Sequence, residues 1–389
     1  MKVLYLHQYF KTNSSNGGTR SYEFSRYLSD NDIEVNVLTG TKIDKQYNNE
    51  NNFSIYSTGT NYNNKMPKWR RILAFLDYNI KALLKGIRTN DIDIIFATST
   101  PLTIGFPAVI ISKFKRKKLI FEVRDVWPDI PIELGYINNK LLIRLLKAFE
   151  RWIYKNSNHI IVLSKGMYQN LIDKGIDSNK ITIIENMSNL YLFDEVIKEK
   201  KENNSLVGKF VCIHPGTMGH VNGLDFILDV AKQIKEIDNN IVFLLIGEGN
   251  RKEHLKRRVI AENLTNVLIK DALPKRDVVS AIKSSDVGLM CVDNKYKILE
   301  DNSANKFFDF LAAGLPILIN YQGWQKEIIE KMNCGKSDIE PIKMANTILK
   351  LKRDSKISDE MAKNSRLLAE NYYSDKIAKK KLLNIIKNM

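Results

Sequence analysis

The sequence holds three cysteines, Cys212, Cys291 and Cys334, each in or beside an apolar segment. An odd count in that setting excludes a disulfide framework and favours a reducing, intracellular compartment. Five scattered histidines with no zinc-ligand spacing make no metal cluster, so no metal is expected. Acidic residues are short as well, 44 against 60 Lys and Arg, which leaves a formal net charge of +16, of which +10 falls in residues 1–190. That excess suggests an anionic partner: nucleic acid, a membrane surface or a phosphorylated substrate. A transmembrane run is also missing. The uncharged stretch 96–112, "FATSTPLTIGFPAVIIS", contains two prolines and five Ser/Thr and reads as strand, loop and helix. The opening "MKVLYLHQYF" lacks the apolar core and cleavage site of a signal peptide and reads as a first strand.

What the chain does have is regular alternation. With 389 residues, 44% hydrophobic and 27% charged, it is globular and too long for one ordinary core. Strand-length apolar runs ("KVLYLHQY", "EVNVLT", "IDIIFATS", "KLIFEV", "HIIVLS", "KITIIEN") alternate with helical patterns at 20–29, 69–88, 141–156 and 166–174. Such continuous apolar strands between helices mean a parallel sheet covered on both faces. The stretch 187–209 is polar and poorly periodic and reads as a linker. After it the pattern resumes with "FVCIHPG", "IVFLLIGEG", "NVLI", "DVGLMCV" and "PILIN". The expected organisation is therefore α/β, with two Rossmann-like, doubly wound domains at 1–186 and 210–370 facing each other across a cleft. A helical tail follows the last strand. Ligands bind such sheets at the carboxyl ends of their strands.

The unusual residues stand at those ends. Gly17-Gly18 closes a polar loop after the first strand and Arg20 opens a helix, so this turn is either a flexible connection or a backbone anion site. "HPGTMG" (214–219), with Gly216 and Thr217, and "GEGN" (247–250), with Gly247 and Gly249, also end apolar strands before helices. Three strand-end glycine loops suit a nucleotide diphosphate, although tight turns alone would explain each. No strand is followed by GxGxxG and no Walker lysine motif occurs, so neither NAD nor ATP is announced. "FEVRDVWPDIP" (121–131) places Arg124 and Asp125 just past a strand, as a catalytic pair or as a structural salt bridge. In "EDNSANKFFDFLAAGLPILI" (300–319), Asp301 and Asp309 lie eight apart with Asn305-Lys306 between them. Helical positions eight apart are offset by roughly 80°. Asp301 is therefore expected on a loop and Asp309 in the first turns of the helix that follows.

Together, "HQYF…GGTRSYEFSRYL", "VRDVWPDIP" and "NKFFDFLAAGLP" resemble the bacterial retaining glycosyltransferases of GT-B fold in glycosyltransferase family 4. The nearest branch in this resemblance builds O-antigen and capsule repeats and includes N-acetylfucosamine transferases. The likeness spans essentially the whole chain. It implies that the final helix, 371–389, crosses back onto the first domain, and that the first domain takes the acceptor and the second the nucleotide sugar. Family members carry two acids separated by seven residues, the first on the donor sugar and the second on the ribose. Asp301 and Asp309 hold those places with shorter arms. A carboxylate accepting ribose hydroxyls makes charge-assisted bonds. Lys306 and the helix start at 304–307 would face the diphosphate. The Arg and Lys that many members use there are Thr217 and Asn222 in this chain, leaving Arg20 and Lys306 as substitutes. Where many members have a histidine, this chain has Arg124-Asp125.

The resemblance thus implies a UDP-sugar donor, no cofactor and no metal, a polyprenyl-diphosphate-linked saccharide acceptor, and a peripheral place on the inner face of the cytoplasmic membrane. A UDP-sugar 2-epimerase and a basic nucleic-acid-binding protein are the rival readings. The second is disfavoured because no RNA-binding aromatic motif occurs and the basic residues lie largely on helices. On the 69–88 helix, Trp69, Ile72, Leu73, Leu76, Ile80, Leu83, Leu84 and Ile87 share one arc, expected to face inward. Arg70, Arg71, Lys81, Lys85 and Arg88 lie opposite, expected to dock on an anionic membrane surface.

Overall fold

The computed structural model describes residues 1–12, 18–42, 53–60, 62, 66–196 and 206–389. They form two compact units. The first runs to Glu185 and includes Ala378–Met389, and the second is built from Asn186–Ile377.

The first unit is a parallel sheet of β1 (Lys2–Leu6), β2 (Glu34–Thr39), β3 (Ser54–Ser57), β4 (Ile94–Thr98), β5 (Lys118–Val123), β6 (His159–Val162) and β7 (Ile181–Ile183). Their order is β3-β2-β1-β4-β5-β6-β7. All residues of β4 are buried, as expected for a strand covered on both faces. The second unit repeats the plan with β8 (Phe210–Pro215), β9 (Ile241–Ile246), β10 (Val267–Lys270), β11 (Val287–Met290), β12 (Ile317–Ile319) and β13 (Gly335–Ser337). Its order is β10-β9-β8-β11-β12-β13, again all parallel. In each sheet the winding reverses beside one strand, β1 in the first and β8 in the second. The carboxyl ends of β1 and β4, and of β8 and β11, therefore flank the two switch points where ligands bind in such folds.

Three expectations are corrected. The 187–209 stretch is not a simple linker: Leu190–Glu195 is helical, and Phe193, Val196 and Leu206 are buried in the second unit's core. Residues 197–205 of that stretch lie outside the described residues. The short edge strands β3 and β13 went unread because "SIYS" and "GKS" carry little apolar signal and pair on one side only. The third correction concerns the Lys68–Arg88 helix, whose large apolar arc mostly faces solvent, with only Leu83 and Ile87 of it packed on the core. It packs inward on Ala74, Tyr78 and Ala82 instead, while Trp69, Leu76 and Ile80 are exposed.

The tail beyond β13 forms helices Pro341–Arg353, Ser355–Leu368 and Asp375–Lys387. From Ala378 onward the last of these belongs to the first unit. There Lys379 Nζ donates to Glu23 Oε2 at 2.8 Å, both side chains being nearly buried.

Candidate functional site

In the second unit the loops after β8 and β9 are laced together through their backbones. Gly216 N–H donates to the Ile246 carbonyl and Met218 N–H to that of Glu248, each at 2.8 Å. A Cβ on Gly247 would fall 1.8 Å from the Gly216 carbonyl oxygen, and one on Gly249 would fall 2.2 Å from that of Met218. These two glycines are therefore required by backbone packing, whatever else they do. Gly216 (φ +134°) and Thr217 are exposed above that seam. Asn222 lies in the short turn His220–Asn222, and Gly223 after it is left-handed at φ +58°.

The helix Asn305–Ala313 carries two charged residues of the set, Lys306 and Asp309. Its apolar side is nearly continuous: Phe307, Phe308, Phe310 and Leu311 are fully buried. Phe307 and Phe308 pack edge-on with each other, and both meet the Trp324 and Tyr373 rings. Asn186 Nδ2 donates to the Ser303 carbonyl at 2.5 Å and Ser188 Oγ to that of Phe308 at 2.8 Å, which fixes where the helix begins. Its N-cap, Ala304, offers no side-chain acceptor, so first-turn amides are not capped by it. Left-handed Gly314 ends the helix at φ +66° and lets the chain turn into β12.

Lys306 reaches from this helix to the end of β8. Its Nζ lies 2.8 Å from Nε2 of His214, and a Cβ on Gly216 would sit 3.2 Å from the same nitrogen. Burial lowers the lysine to about 8. Burial, reinforced by the lysine's charge, holds His214 well below the usual histidine range. A neutral imidazole accepting from an ammonium is the arrangement these directions favour. The helix start, Lys306 and the exposed backbone at Gly216 thus converge at the β8–β11 switch point. Asn305 is exposed at the first position of the helix.

Asp309 sits in the second turn of the same helix, and both its oxygens accept from Lys275 Nζ, at 2.8 and 2.7 Å. It is nearly buried, so the carboxylate is held rather than free in solvent. Asp301 ends the preceding short turn Lys297–Asp301 and is half-buried. One acid on a turn and one in the helix is the expected geometry.

In the first unit the Arg20 side chain is buried. It is 2% exposed and each guanidinium nitrogen donates within the unit. Nε donates to Glu122 Oε1 at 2.9 Å, Nη1 to the Glu185 carbonyl at 2.5 Å and Nη2 to the Ile184 carbonyl at 2.8 Å. The ring of Phe24 lies 4.5 Å from its Cζ. The sequence puts Arg20 after a glycine turn, but what decides its role is a buried carboxylate two residues before Arg124. Gly17 lies outside the described residues, and Gly18 is half-buried.

Arg124 and Asp125 follow β5 directly. The Arg124 N–H donates to Ser99 Oγ at 2.8 Å, and Thr100 Oγ1 donates to Asp125 Oδ2 at 3.2 Å, so the ends of β4 and β5 are tied together. Asp125 is exposed and Arg124 half-buried. Asp129, from the same motif, is paired with Lys174 at 2.7 Å. At the neighbouring end of β1, His7 and Gln8 are buried, and among the described residues His7 Nδ1 and both amide atoms of Gln8 have no hydrogen-bond partner. Burial, with Arg124 and Lys11 nearby, pushes His7 well below the usual histidine range.

Sequence reasoning gave no role to His7, Gln8, His214 or Lys275. Three of these stood inside quoted motifs, and position at a strand's carboxyl end was the signal available. Lys275 begins a helix far from Asp309 in sequence and carried none. Among the described residues no group of three or more His, Cys, Asp or Glu could hold a metal ion. The three cysteines are free and buried.

Two family profiles cover most of the chain, Glycosyltransferase Family 4 over residues 17–190 and Glycosyl transferases group 1 over residues 195–368. An Escherichia coli K12 protein named for colanic acid biosynthesis, WcaI, is 22% identical over 41% of this chain and 40% of its own length. The uncharacterized glycosyltransferase MJ1069 of Methanocaldococcus jannaschii is 23% identical over 67% of this chain and 66% of its own. The matched stretches thus span about half the length of these relatives. Anabaena HepE, whose crystal structure holds UDP-glucose, superposes with a TM-score of 0.76 at 15% identity, covering 100% of both chains. A Listeria monocytogenes protein named as a UDP-N-acetylglucosamine 2-epimerase also superposes, with a TM-score of 0.61 at 12% identity over 99% of this chain and 95% of that one. At these identities the superpositions speak for the fold alone, whereas the two profiles distinguish transferase from epimerase: the chain belongs to the glycosyltransferases of family 4 type, with the GT-B architecture.

Proposed function

We propose that the protein is a retaining glycosyltransferase that moves a sugar, an N-acetylated hexosamine or deoxyhexosamine, from a UDP-sugar to a polyprenyl-diphosphate-linked saccharide. The product serves O-antigen or capsule synthesis at the inner face of the cytoplasmic membrane. The observation that carries this reading is Lys306, a half-buried cation 2.8 Å from a histidine at the β8–β11 switch point, beside exposed glycine backbone and a helix start. In this reading the donor diphosphate lies against Lys306, Gly216, Thr217 and the amides at Asn305, Asp309 accepts the ribose hydroxyls, and Asp301 meets the donor sugar. The loop at Gly247 and Gly249 backs that surface.

The bond from the sugar's anomeric carbon to the UDP oxygen breaks as a bond to the acceptor oxygen forms on the same face. The acceptor's hydroxyl proton passes to the departing phosphate oxygen, so no separate base is needed. Catalysis then rests on orientation and on stabilising the charge that grows on the leaving diphosphate. Gly18 is assigned to the diphosphate, and Arg124 and Asp125 to sugar or acceptor contact, together with the unpartnered atoms of His7 and Gln8. Arg20 is left out of the donor set because its guanidinium is buried on Glu122 and on the carbonyls of Ile184 and Glu185.

The test is a thermal-shift panel of UDP-, GDP- and dTDP-sugars, since a ligand that binds only the native state raises the melting point. Product analysis with the stabilising donor and a polyprenyl-diphosphate saccharide should follow. Transfer with retained anomeric configuration is expected. Conversion of the free nucleotide sugar without transfer would replace this reading with epimerisation.

A further inference from the structure

The Lys68–Arg88 helix faces the wrong way for an ordinary domain helix. Its inward ladder, Ala74, Tyr78, Ala82 and Gly86, is mostly small and spaced by four. A Cβ on Gly86 would fall 2.3 Å from Cδ1 of Ile111, so the small ladder lets this helix lie close on the Gly105–Lys115 helix. The large side chains are left outside: Trp69 is 58% exposed, Leu76 53% and Ile80 59%.

The two neighbouring helices do the same. Gly105–Lys115 exposes Phe106 and Phe114, the latter by 66%, and Lys140–Asn156 exposes Leu141 by 68% and Leu145 by 58%. The three helices pack in sequence on each other, and Tyr78, Ile111 and Ile153 share one core cluster. The apolar side chains therefore lie on one layer of the first unit. Soluble monomers rarely expose so many large apolar side chains on one layer without something to cover them.

Charge says what covers it. Residues 68–88, 105–118 and 140–156 hold sixteen Lys and Arg against two acids, Asp77 and Glu150. Asp77 is taken by Lys81 at 2.8 Å and by Thr60 at 2.7 Å, and Glu150 is buried on Lys174 at 2.6 Å. From outside these ranges Asp93 offsets Lys117 and Asp129 offsets Lys147, and the layer keeps a large positive excess. A second copy seated on the same face would oppose like charge to like charge, because a twofold contact presents one patch to itself. An anionic lipid surface meets both needs. In-plane helices with Trp and Leu on one face and Lys or Arg beside them are the form that lies at a bilayer interface.

We propose that this three-helix face of the first unit seats in an anionic lipid bilayer. Trp69, Leu73, Leu76 and Ile80 enter the boundary between headgroups and acyl chains, and Arg70, Lys81, Lys85 and Arg88 flank them at the phosphates. The inference deepens the membrane assignment proposed above by naming the face and its mode of attachment, and it stands apart from the donor reading.

The full chain is tested by co-sedimentation with vesicles of phosphatidylglycerol and phosphatidylcholine, and of phosphatidylcholine alone. Binding to the anionic vesicles is expected at low salt and much less binding to the neutral ones. Lys81→Gln and Lys85→Gln should each weaken it about fivefold, the fold-change that corresponds to one basic residue near an anionic surface. Leu76→Gln with Ile80→Gln, at positions already in solvent, should release the protein while its melting temperature holds. Brominated lipids should quench wild-type fluorescence and lose that effect in Trp69→Phe. Absence of wild-type sedimentation at low salt overturns the proposal, as does a Leu76→Gln, Ile80→Gln protein that still sediments fully. A dimer in light scattering that the same double variant dissociates also overturns it, giving the face to a second copy. Calorimetry with UDP should be unchanged in all these variants, so failure of the vesicle test and failure of the donor reading are read separately.

Discussion

Lys306 Nζ lies 2.8 Å from His214 Nε2, and the pair joins the helix after the Asp301 turn to the end of β8. Burial lowers the lysine to about 8, so in the free protein its ammonium is lost as pH rises through that value. A diphosphate favours the charged form, so binding draws a proton back and affinity must fall above the free-protein value. The expected result is a donor dissociation constant that is level near neutrality and weakens with alkaline pH, by about tenfold for each further pH unit. Calorimetry in buffers of different ionisation heat would also show proton uptake on binding. A pH-independent affinity across that window would remove Lys306 from the diphosphate site.

Turnover gives a second measure of the same residue. Thr217 and Asn222 are uncharged, and Arg20 is spent within the first unit, so few cations remain to meet charge on the leaving group. Lys306→Ala is expected to lower kcat on the order of 10²–10³-fold, as for loss of one donor in comparable electrostatic sites. Its melting temperature should hold, since the substitution removes a half-buried charge without breaking an ion pair. Near-normal kcat would pass the role to another group.

Asp309 offers a sharper test than its position alone would allow, because Lys275 already holds both of its oxygens. Asp309→Asn removes a charged acceptor, which should cost donor binding about 1.5–3 kcal/mol, or roughly ten- to a hundredfold. It also leaves Lys275 without its anion, so some loss of stability should accompany it. Lys275→Met separates the two effects by keeping the carboxylate and removing only its holder. Weak donor binding in Asp309→Asn with normal binding in Lys275→Met is the expected pattern. Equal, unchanged affinities in calorimetry would make the pair purely structural.

The contrast between Arg20 and Lys306 shows how far the sequence could be read. Both are basic residues at helix starts near strand ends, and both were expected at the diphosphate. Local pattern places them correctly: Arg20 opens its helix, and Lys306 stands in the first turn of its own. What separates them is a contact 102 residues away in one case and 92 in the other, with Glu122 and with His214. No periodicity encodes that. The apolar strands and their alternation with helices were legible because burial on both faces demands them, and the edge strands β3 and β13 were not because it does not. The Lys68–Arg88 helix misled for a related reason. Amphipathicity reports that one face is apolar, but the small ladder at Ala74, Tyr78, Ala82 and Gly86 decides which face can approach a neighbour.

The structural role given to Arg20 carries its own prediction. Glu122 is fully buried between Arg20 and Thr98, whose Oγ1 donates to Oε2 at 2.6 Å. Burial pushes this carboxyl up, but the charges of Arg20 and Arg124 and the two hydrogen bonds more than offset it, leaving it below its ordinary value of 4.5. A carboxyl held lower in the folded state lends stability that is complete above the unfolded value and is lost as pH falls through the folded one. Arg20→Met would leave that buried charge unpaired, together with the carbonyls of Ile184 and Glu185. The cost for breaking a buried pair is about 3–5 kcal/mol. Arg20→Met should therefore lower the melting temperature strongly. Its loss should shrink on mild acidification, because a carboxyl without its cation takes up a proton more readily. Glu122→Gln in the same background should recover part of the stability by removing the unpaired charge. Donor affinity, measured below the transition, should match the wild type throughout. A stable Arg20→Met protein with weakened UDP binding would return Arg20 to the diphosphate and make the Glu122 pairing incidental.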